Sequence, residues 1–95
     1  MEYAPHARVV ASDHVRLADL GDSFAILNLE SGEYFDVVGS ARAVVEILSS
    51  GPATVGEIRE RLLARYDVPA DRCAAELQAY LEDLVRAGIV RVESA

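Results

Sequence analysis

The fold is decided by residues 24–37, which read FAILNLESGEYFDV. The tripeptide Glu30-Ser31-Gly32 is typical of a turn, because glycine adopts the backbone angles that tight turns need and serine can bond its own backbone. On either side of it lie short segments in which apolar residues cluster or alternate with polar ones. The stretch therefore predicts a β-hairpin whose strands are Phe24–Leu29 and Glu33–Val37.

A strand pattern also precedes the hairpin. The segment Val15–Leu20 alternates apolar and polar residues, and Gly21-Asp22 then supplies a second turn. Consecutive strands can therefore fold back on one another as a three-stranded antiparallel β-meander. The residues Arg8–Ala11 are expected to form either an additional short strand or an arm.

Three amphipathic helices are predicted after Gly39, where apolar residues recur at spacings of three and four. The first covers residues 41–48 and ends before Gly51-Pro52. The second covers residues 54–66, and the third covers residues 69–87. This order of a meander followed by three α-helices indicates an α+β fold of the winged helix-turn-helix type.

Two local signals fix the helix ends. Thr54 and Glu57 have the spacing of a capping box, in which each side chain accepts a hydrogen bond from the other residue's backbone N–H. Gly88 is the expected left-handed terminator of the third helix. The residues that follow, Ile89–Val92, are expected to form a short final strand or an extended tail.

Composition favours one small domain over residues 1–95, with its core in about 15–92. The 95 residues are 52% hydrophobic and carry 16 acids against 9 basic residues, all of them arginine. The net charge of −7 argues against binding to nucleic acid. The single cysteine, Cys73, fits a reducing compartment, and no apolar segment reaches the ~18 residues of a membrane span. We therefore expect a cytoplasmic protein that does not bind membranes.

Candidate catalytic groups are lacking. His6 and His14 lack the spacing of metal ligands, no serine lies in a Gly-x-Ser-x-Gly turn, and no glycine-rich phosphate loop is present. We expect no enzymatic activity, no metal and no cofactor. The third helix carries four acids and only Arg72 and Arg86 between Asp71 and Ala87, so it is poorly suited to read DNA.

The apolar face of the third helix is wider than one small core requires. At about 100° per residue, Cys73, Leu77 and Tyr80 lie along one line, with Val85 on its flank. We expect Val85, with Leu81 and Leu84, to be core, and the edge containing Tyr80 to border a groove. On the strand at 33–37, Phe35 and Val37 alternate with Tyr34 and Asp36, so one pair should face the helices and the other pair should face outward.

The pattern Gly32–Val37, together with Ala41, Val44, Leu48, Gly51, Thr54, Glu57, Ile58, Leu62, Tyr66, Val68 and Leu77–Gly88, resembles the PqqD-like family of leader-peptide recognition elements. In this family an Asn often caps the first helix, but this chain has Val37-Val38, so Gly39-Ser40 is expected to cap it. The stand-alone form of this size resembles the recognition protein of lasso peptide biosynthesis.

That resemblance implies a specific function. The leader of a ribosomally synthesised precursor peptide would add an antiparallel strand to residues 33–37, and its apolar side chains would enter the cleft against the third helix. A separate leader-cleaving cysteine protease would then act, and the protein itself would be non-catalytic. The ten predicted peptide-binding residues are Glu33, Tyr34, Phe35, Asp36, Val37, Arg72, Cys73, Glu76, Leu77 and Tyr80.

Three alternatives stay open at the level of sequence. One is a peptide chaperone that serves a radical SAM maturation enzyme. Another is a winged-helix DNA-binding regulator, and the third is a homodimer formed through the strand edge at 33–37. For the leader hypothesis, Tyr80→Ala or Val37→Pro is expected to weaken binding without unfolding the domain.

Overall fold

A computed structural model describes residues 3–93, so the outermost residues of the predicted 1–95 domain, 1–2 and 94–95, lie outside the described part. Nine elements follow one another along the chain. In order they are β1 (Arg8–Ala11), β2 (Val15–Asp19), β3 (Phe24–Asn28), β4 (Tyr34–Val37), α1 (Ser40–Ser49), β5 (Ala53–Thr54), α2 (Val55–Arg65), α3 (Ala70–Arg86) and β6 (Val90–Glu93). The result is a small α+β fold with antiparallel strands and three helices.

The predicted β-meander is confirmed. Strands β2, β3 and β4 form an antiparallel sheet in that order, with β3 in the centre. Gly21 and Gly32 lie in the two connections, and both have a positive φ, which glycine adopts without steric cost. The Asn28 side chain accepts hydrogen bonds from the backbone N–H groups of Glu30 and Ser31, which stabilises the second turn.

A second sheet contains both Arg8–Ala11 and the C-terminal segment, which the sequence left open as strands or as an arm and a tail. Strand β1 pairs antiparallel with both β5 and β6, so Arg8–Ala11 is the central strand of a three-stranded sheet in the order β5-β1-β6. The C-terminal segment is likewise a strand rather than a tail. The two-residue strand β5, which leads directly into α2, was not predicted because Ala53-Thr54 is too short to show a period.

Helix α1 begins at a glycine with a positive φ and has no side-chain cap. Gly39 occupies the N-cap position with a φ of 70°, and no side chain makes a capping hydrogen bond. The prediction that Gly39-Ser40 caps this helix is therefore correct for Gly39 but wrong for Ser40, which is the first helical residue. The Arg42 guanidinium donates to the Gly21 carbonyl at 2.8 Å and lies over the Phe24 ring, 5.6 Å from its centroid, which holds α1 against the meander.

The other helix ends agree with the sequence signals. Thr54 and Glu57 form the reciprocal capping box at the start of α2. Those bonds lower the pKa of the Glu57 carboxyl from its ordinary value, because they favour the charged form. At the end of α3 the N–H of Gly88 donates to Val85 and that of Ile89 to Leu84, which is the Schellman arrangement with glycine in the left-handed conformation.

The core lies between the two sheets and the three helices. The side chains of Ile58, Leu81, Val9 and Val45 are less than 2% exposed, and they come from four different elements. Leu84 is buried as predicted. The prediction that Val85 belongs to the core is wrong, since Val85 is 37% exposed. The wide apolar face of α3 thus turns partly towards solvent on its Val85 flank.

Candidate peptide-binding site

Strand β4 is an edge of its sheet, as the sequence hypothesis requires. The hydrogen-bond phase of a strand is the choice of which alternate residues bond to the neighbouring strand. For β4 it follows from the bond that the Asn28 N–H donates to the Glu33 carbonyl. In an antiparallel ladder, bonded pairs alternate with non-bonded ones, so Phe35 and Val37 bond to β3. The backbone groups of Tyr34 and Asp36 point the other way. Within residues 3–93 those groups make no hydrogen bond, so two N–H donors and two C=O acceptors face the free edge.

The opposite edge of the same sheet is less open. The bond from Leu29 N–H to the His14 carbonyl sets the phase of β2, so the carbonyl of Val15 points outward. The Arg16 guanidinium donates to that carbonyl at 3.0 Å, and also to the Asp13 carbonyl at 2.9 Å. A side chain of β2 therefore occupies an acceptor that a guest strand would need. Strand β4 carries no such block.

The register confirms which residues of β4 share a face, and it shows which of the two pairs faces the core. Val37 is opposite Phe24, and Phe35 is opposite Ile26, so both lie on the face that packs against the core. Val37 is buried, whereas Phe35 is 45% exposed. The helices do not reach far enough to cover Phe35. An aromatic ring therefore lies partly open on the core-facing side of a free strand edge.

The phase of β4 also corrects the expected outcome for Val37→Pro. Because the Val37 N–H points towards β3 and the side chain is buried, a proline there removes a bond of the sheet itself. That substitution would damage the fold as well as any docking. The outward N–H of Asp36 is the one that a guest strand could use, and Asp36 is exposed.

An apolar cleft opens beyond the end of β4, among the three helices. Its volume is about 330 Å³. The wall begins at Ser40, three residues after the last residue of β4. Each of the three helices contributes to it. The lining residues are Ser40, Ala41 and Val44 of α1, Leu62 of α2, Tyr66 and Val68 of the connection, and Cys73, Glu76, Leu77 and Tyr80 of α3.

Four of the predicted site residues come together in this cleft: Cys73, Glu76, Leu77 and Tyr80. Arg72 does not line it; its guanidinium is exposed and pairs with the Glu76 carboxylate at 3.2 Å on the same helix. The predicted strand residues, Glu33 to Val37, border the free edge and do not line the cleft. The six lining residues from Ser40 to Val68 were not predicted as site residues, although five of them belong to the apolar pattern that the sequence shows.

The cleft shifts the acidity of two of its side chains. Burial raises the pKa of the Cys73 thiol from its ordinary value, and the nearby Glu76 carboxylate raises it further, so the neutral thiol is favoured and Cys73 adds apolar surface to the wall. Burial, aided by Asp83, also raises the pKa of the Tyr80 hydroxyl. Tyr80 is half-buried, with its ring packed against the core and lining the cleft. A wall of this kind suits apolar side chains.

Residues 3–93 lack two further features. This part of the chain contains no group of three or more His, Cys, Asp or Glu residues arranged to hold a metal ion. Across the same residues, no helix has both the length and the hydropathy needed to cross a membrane.

A free strand edge is able to take up an extended peptide as an additional strand. The chain belongs to the PqqD family: the family described as coenzyme PQQ synthesis protein D (PqqD) matches residues 24–90. No curated protein sequence matches the chain.

Two solved structures share the fold. One is described as "TbiB1 in Complex with the TbiA(beta) Leader Peptide"; it has a TM-score of 0.80 and 24% identity, and the match covers 86% of this chain and 94% of that one. The other is "Lasso peptide synthetase B1 complexed with the leader peptide", with a TM-score of 0.74, 19% identity and coverage of 87% and 96%. Both were solved with a leader peptide bound.

Proposed function

We propose that this protein is a non-catalytic recognition protein that binds the leader of a ribosomally synthesised precursor peptide. The leader adds an antiparallel strand to β4, and its apolar side chains enter the cleft between α1 and α3. The protein then delivers the leader to a leader-cleaving cysteine protease of lasso peptide biosynthesis, in the cytoplasm. In this proposal residues 1–95 act as one domain, with α1 to α3 and the β-hairpin arranged as a winged helix-turn-helix.

The observation that carries the proposal is the unpaired edge of β4. The outward N–H and C=O groups of Tyr34 and Asp36 offer four hydrogen bonds, each worth about 1 kcal/mol net. Two or three apolar anchors in the cleft add ~1.5 to 3 kcal/mol each. Together these terms offset the cost of ordering a flexible peptide. Pairing of main chains supplies affinity, and the cleft supplies selectivity.

Charge suggests which leaders are accepted. Glu33 and Asp36 lie on or beside the free edge, and the chain as a whole carries a net charge of −7. An acidic edge repels a second acidic strand and favours a neutral or basic guest. It does not decide against the homodimer through residues 33–37 that the sequence left open, because in the register that pairs Tyr34 with Asp36 of a second copy no acid is opposite another acid.

The proposal is tested by titrating a labelled leader peptide, encoded beside this protein's gene, against the purified chain and following fluorescence polarisation. We expect saturable binding to the wild type. Asp36→Pro removes one outward N–H and should weaken binding about fivefold or more. The matched control, Asp36→Asn, removes the charge and keeps the N–H, so it should bind nearly as well as the wild type.

The outcome that contradicts the proposal is clear. If the leader does not bind, or if Asp36→Pro binds it as tightly as Asp36→Asn does, the edge of β4 is not the docking site. Circular dichroism should show that both variants remain folded, since the bonds between β3 and β4 come from Phe35 and Val37.

A second candidate function shares the same site. The family is described by a role in coenzyme PQQ synthesis, which favours a peptide chaperone that serves a radical SAM maturation enzyme rather than a protease. The two candidates differ only in the enzyme that receives the peptide. Copurification with each enzyme encoded nearby, in the presence of the leader, separates them.

A further inference from the structure

A second free edge lies on the other sheet. Strand β6 pairs with β1 on one side, and within residues 3–93 no strand lies on its other side. Arg91 and Glu93 are on its solvent-facing side, whereas Val90 is buried and Val92 is packed against the core. The Arg91 guanidinium contacts the Glu93 carboxylate of the same strand at 3.1 Å.

The hydrogen-bond phase of β6 is fixed by a single bond. The Ser12 N–H donates to the Ile89 carbonyl, so Arg91 and Glu93 bond to β1, and the backbone groups of Val90 and Val92 point away from it. Those groups form no hydrogen bond within the described residues. Any strand that docks on this edge must therefore place its bonded residues opposite Val90 and Val92.

The phase and the charges together select one way for β6 to pair with itself. If Val92 is opposite Val92 of a second copy, each Arg91 lies opposite the other copy's Glu93. If instead Val90 is opposite Val92, the two Arg91 side chains face one another, and if Val90 is opposite Val90, each Arg91 lies opposite Ile89 and gains no charge pair. Opposite charges stabilise a cross-strand pair and like charges destabilise it. Charges on a free edge usually discourage pairing, but here the register with Val92 opposite Val92 is the one that gains two opposite-charge pairs.

We propose that β6 is a self-association edge, on which two copies of this chain pair antiparallel about a two-fold axis at Val92. The two sheets then join as one six-stranded sheet in the order β5-β1-β6-β6-β1-β5. The interface is isologous, since each copy contributes Arg91 to the other's Glu93. The β4 edges belong to the other sheet of each copy and stay open, so the dimer presents two leader sites.

The test is the mass in solution over a range of protein concentrations, measured by sedimentation velocity. The wild type should shift from the chain mass of 10.3 kDa towards twice that value as concentration rises. Arg91→Glu converts two opposite-charge pairs into two like-charge pairs, and it should weaken self-association about tenfold or more. Arg91→Gln, which only removes the attraction, should have an intermediate effect.

Mixing two variants gives a sharper result. Arg91→Glu places two acids on the edge, and Glu93→Arg places two arginines there, so each alone should be monomeric. An equimolar mixture should form a heterodimer tighter than the wild-type homodimer. Because Glu93 is also opposite Arg8 of β1, circular dichroism must show that Glu93→Arg is folded; Glu93→Gln is used if it is not.

Three outcomes overturn the proposal: a wild type that stays monomeric at its highest soluble concentration, a dimer that Arg91→Glu does not weaken, or a dimer that Asp36→Pro abolishes instead. The last outcome assigns self-association to β4. Failure here is separable from failure of the leader proposal, because Arg91→Glu should bind the leader peptide as the wild type does.

Discussion

The free edges of β4 and β6 offer the same backbone but different surroundings. Each strand has four residues, pairs on one side, and points the backbone groups of two residues outward. The β4 edge carries acids of one sign and leads towards an apolar cleft. The β6 edge alternates Arg91 and Glu93 with valines, and its valines belong to the core side.

This difference shows how side chains assign a partner to a strand edge that hydrogen bonding alone leaves unspecific. Backbone bonds supply affinity for any extended chain. An edge with charges of one sign gains no charge pair from its own copy, whereas an edge with alternating charges is complementary to its own copy in one register. A neighbouring cleft then adds selectivity for the guest's side chains, and such a cleft opens beyond the end of β4.

The largest effect tests the hydrogen-bond phase on which the comparison rests. Val37→Pro removes an N–H that bonds to β3 and shrinks a buried side chain, so it should lower the free energy of unfolding by about 3 kcal/mol. Asp36→Pro removes only an outward N–H and should cost under about 1 kcal/mol. Urea denaturation of both variants measures this. Equal destabilisation would mean that the phase of β4 is wrongly assigned.

The next largest effect, on leader binding, distinguishes the cleft from the rest of α3 as the peptide's binding site. Tyr80→Ala removes a ring that lines the cleft, and loss of ~1.5 to 3 kcal/mol of apolar burial should weaken leader binding about 10- to 100-fold. Val85→Ala is the matched control, since Val85 is an exposed apolar residue of the same helix outside the cleft. Polarisation titrations compare the two.

The dimer supplies a second control for Tyr80→Ala. Self-association through β6 should be unchanged in this variant, because Tyr80 does not touch that edge in the proposed pairing. If Val85→Ala weakens leader binding as much as Tyr80→Ala does, the peptide lies on the other flank of α3, and the cleft is not its site.

The smallest effect concerns alkaline pH. The pKa of Tyr80 is raised above the ordinary tyrosine value of 10.0, mainly by burial. The folded state therefore keeps the proton where the unfolded state loses it, and the stabilisation from the neutral hydroxyl is lost as pH rises through the folded pKa. Tyr80→Phe should show a shallower loss of stability above pH 10 in urea titrations. Parallel pH profiles would show that the hydroxyl is not desolvated.

Much of the fold could be read from local patterns. Turn residues and alternation predicted the meander, and the capping box and Gly88 predicted the ends of α2 and α3, because these signals act within a few residues. The pairing of β1 with β6 could not be predicted in the same way. Its two strands are separated by most of the chain, and short apolar segments carry no information about which strand they meet.

The candidate site was likewise predicted only in part from the sequence. The sequence indicated that Tyr80, Leu77 and Cys73 share one helix face, since that follows from the 100° rotation per residue. It did not indicate that Phe35 would be 45% exposed or Val85 37% exposed. Exposure depends on how far a neighbouring element reaches, and periodicity along one chain segment does not contain that distance.

By itself, the sequence determined the order of elements, the faces of each strand and helix, and the acidity of the surface, because these depend on neighbouring residues and on composition. Only the tertiary structure decided which strand edges are left unpaired and which backbone groups point outward from them. Those features arise from contacts between segments far apart in the chain, where the packing of whole sheets and helices fixes the geometry.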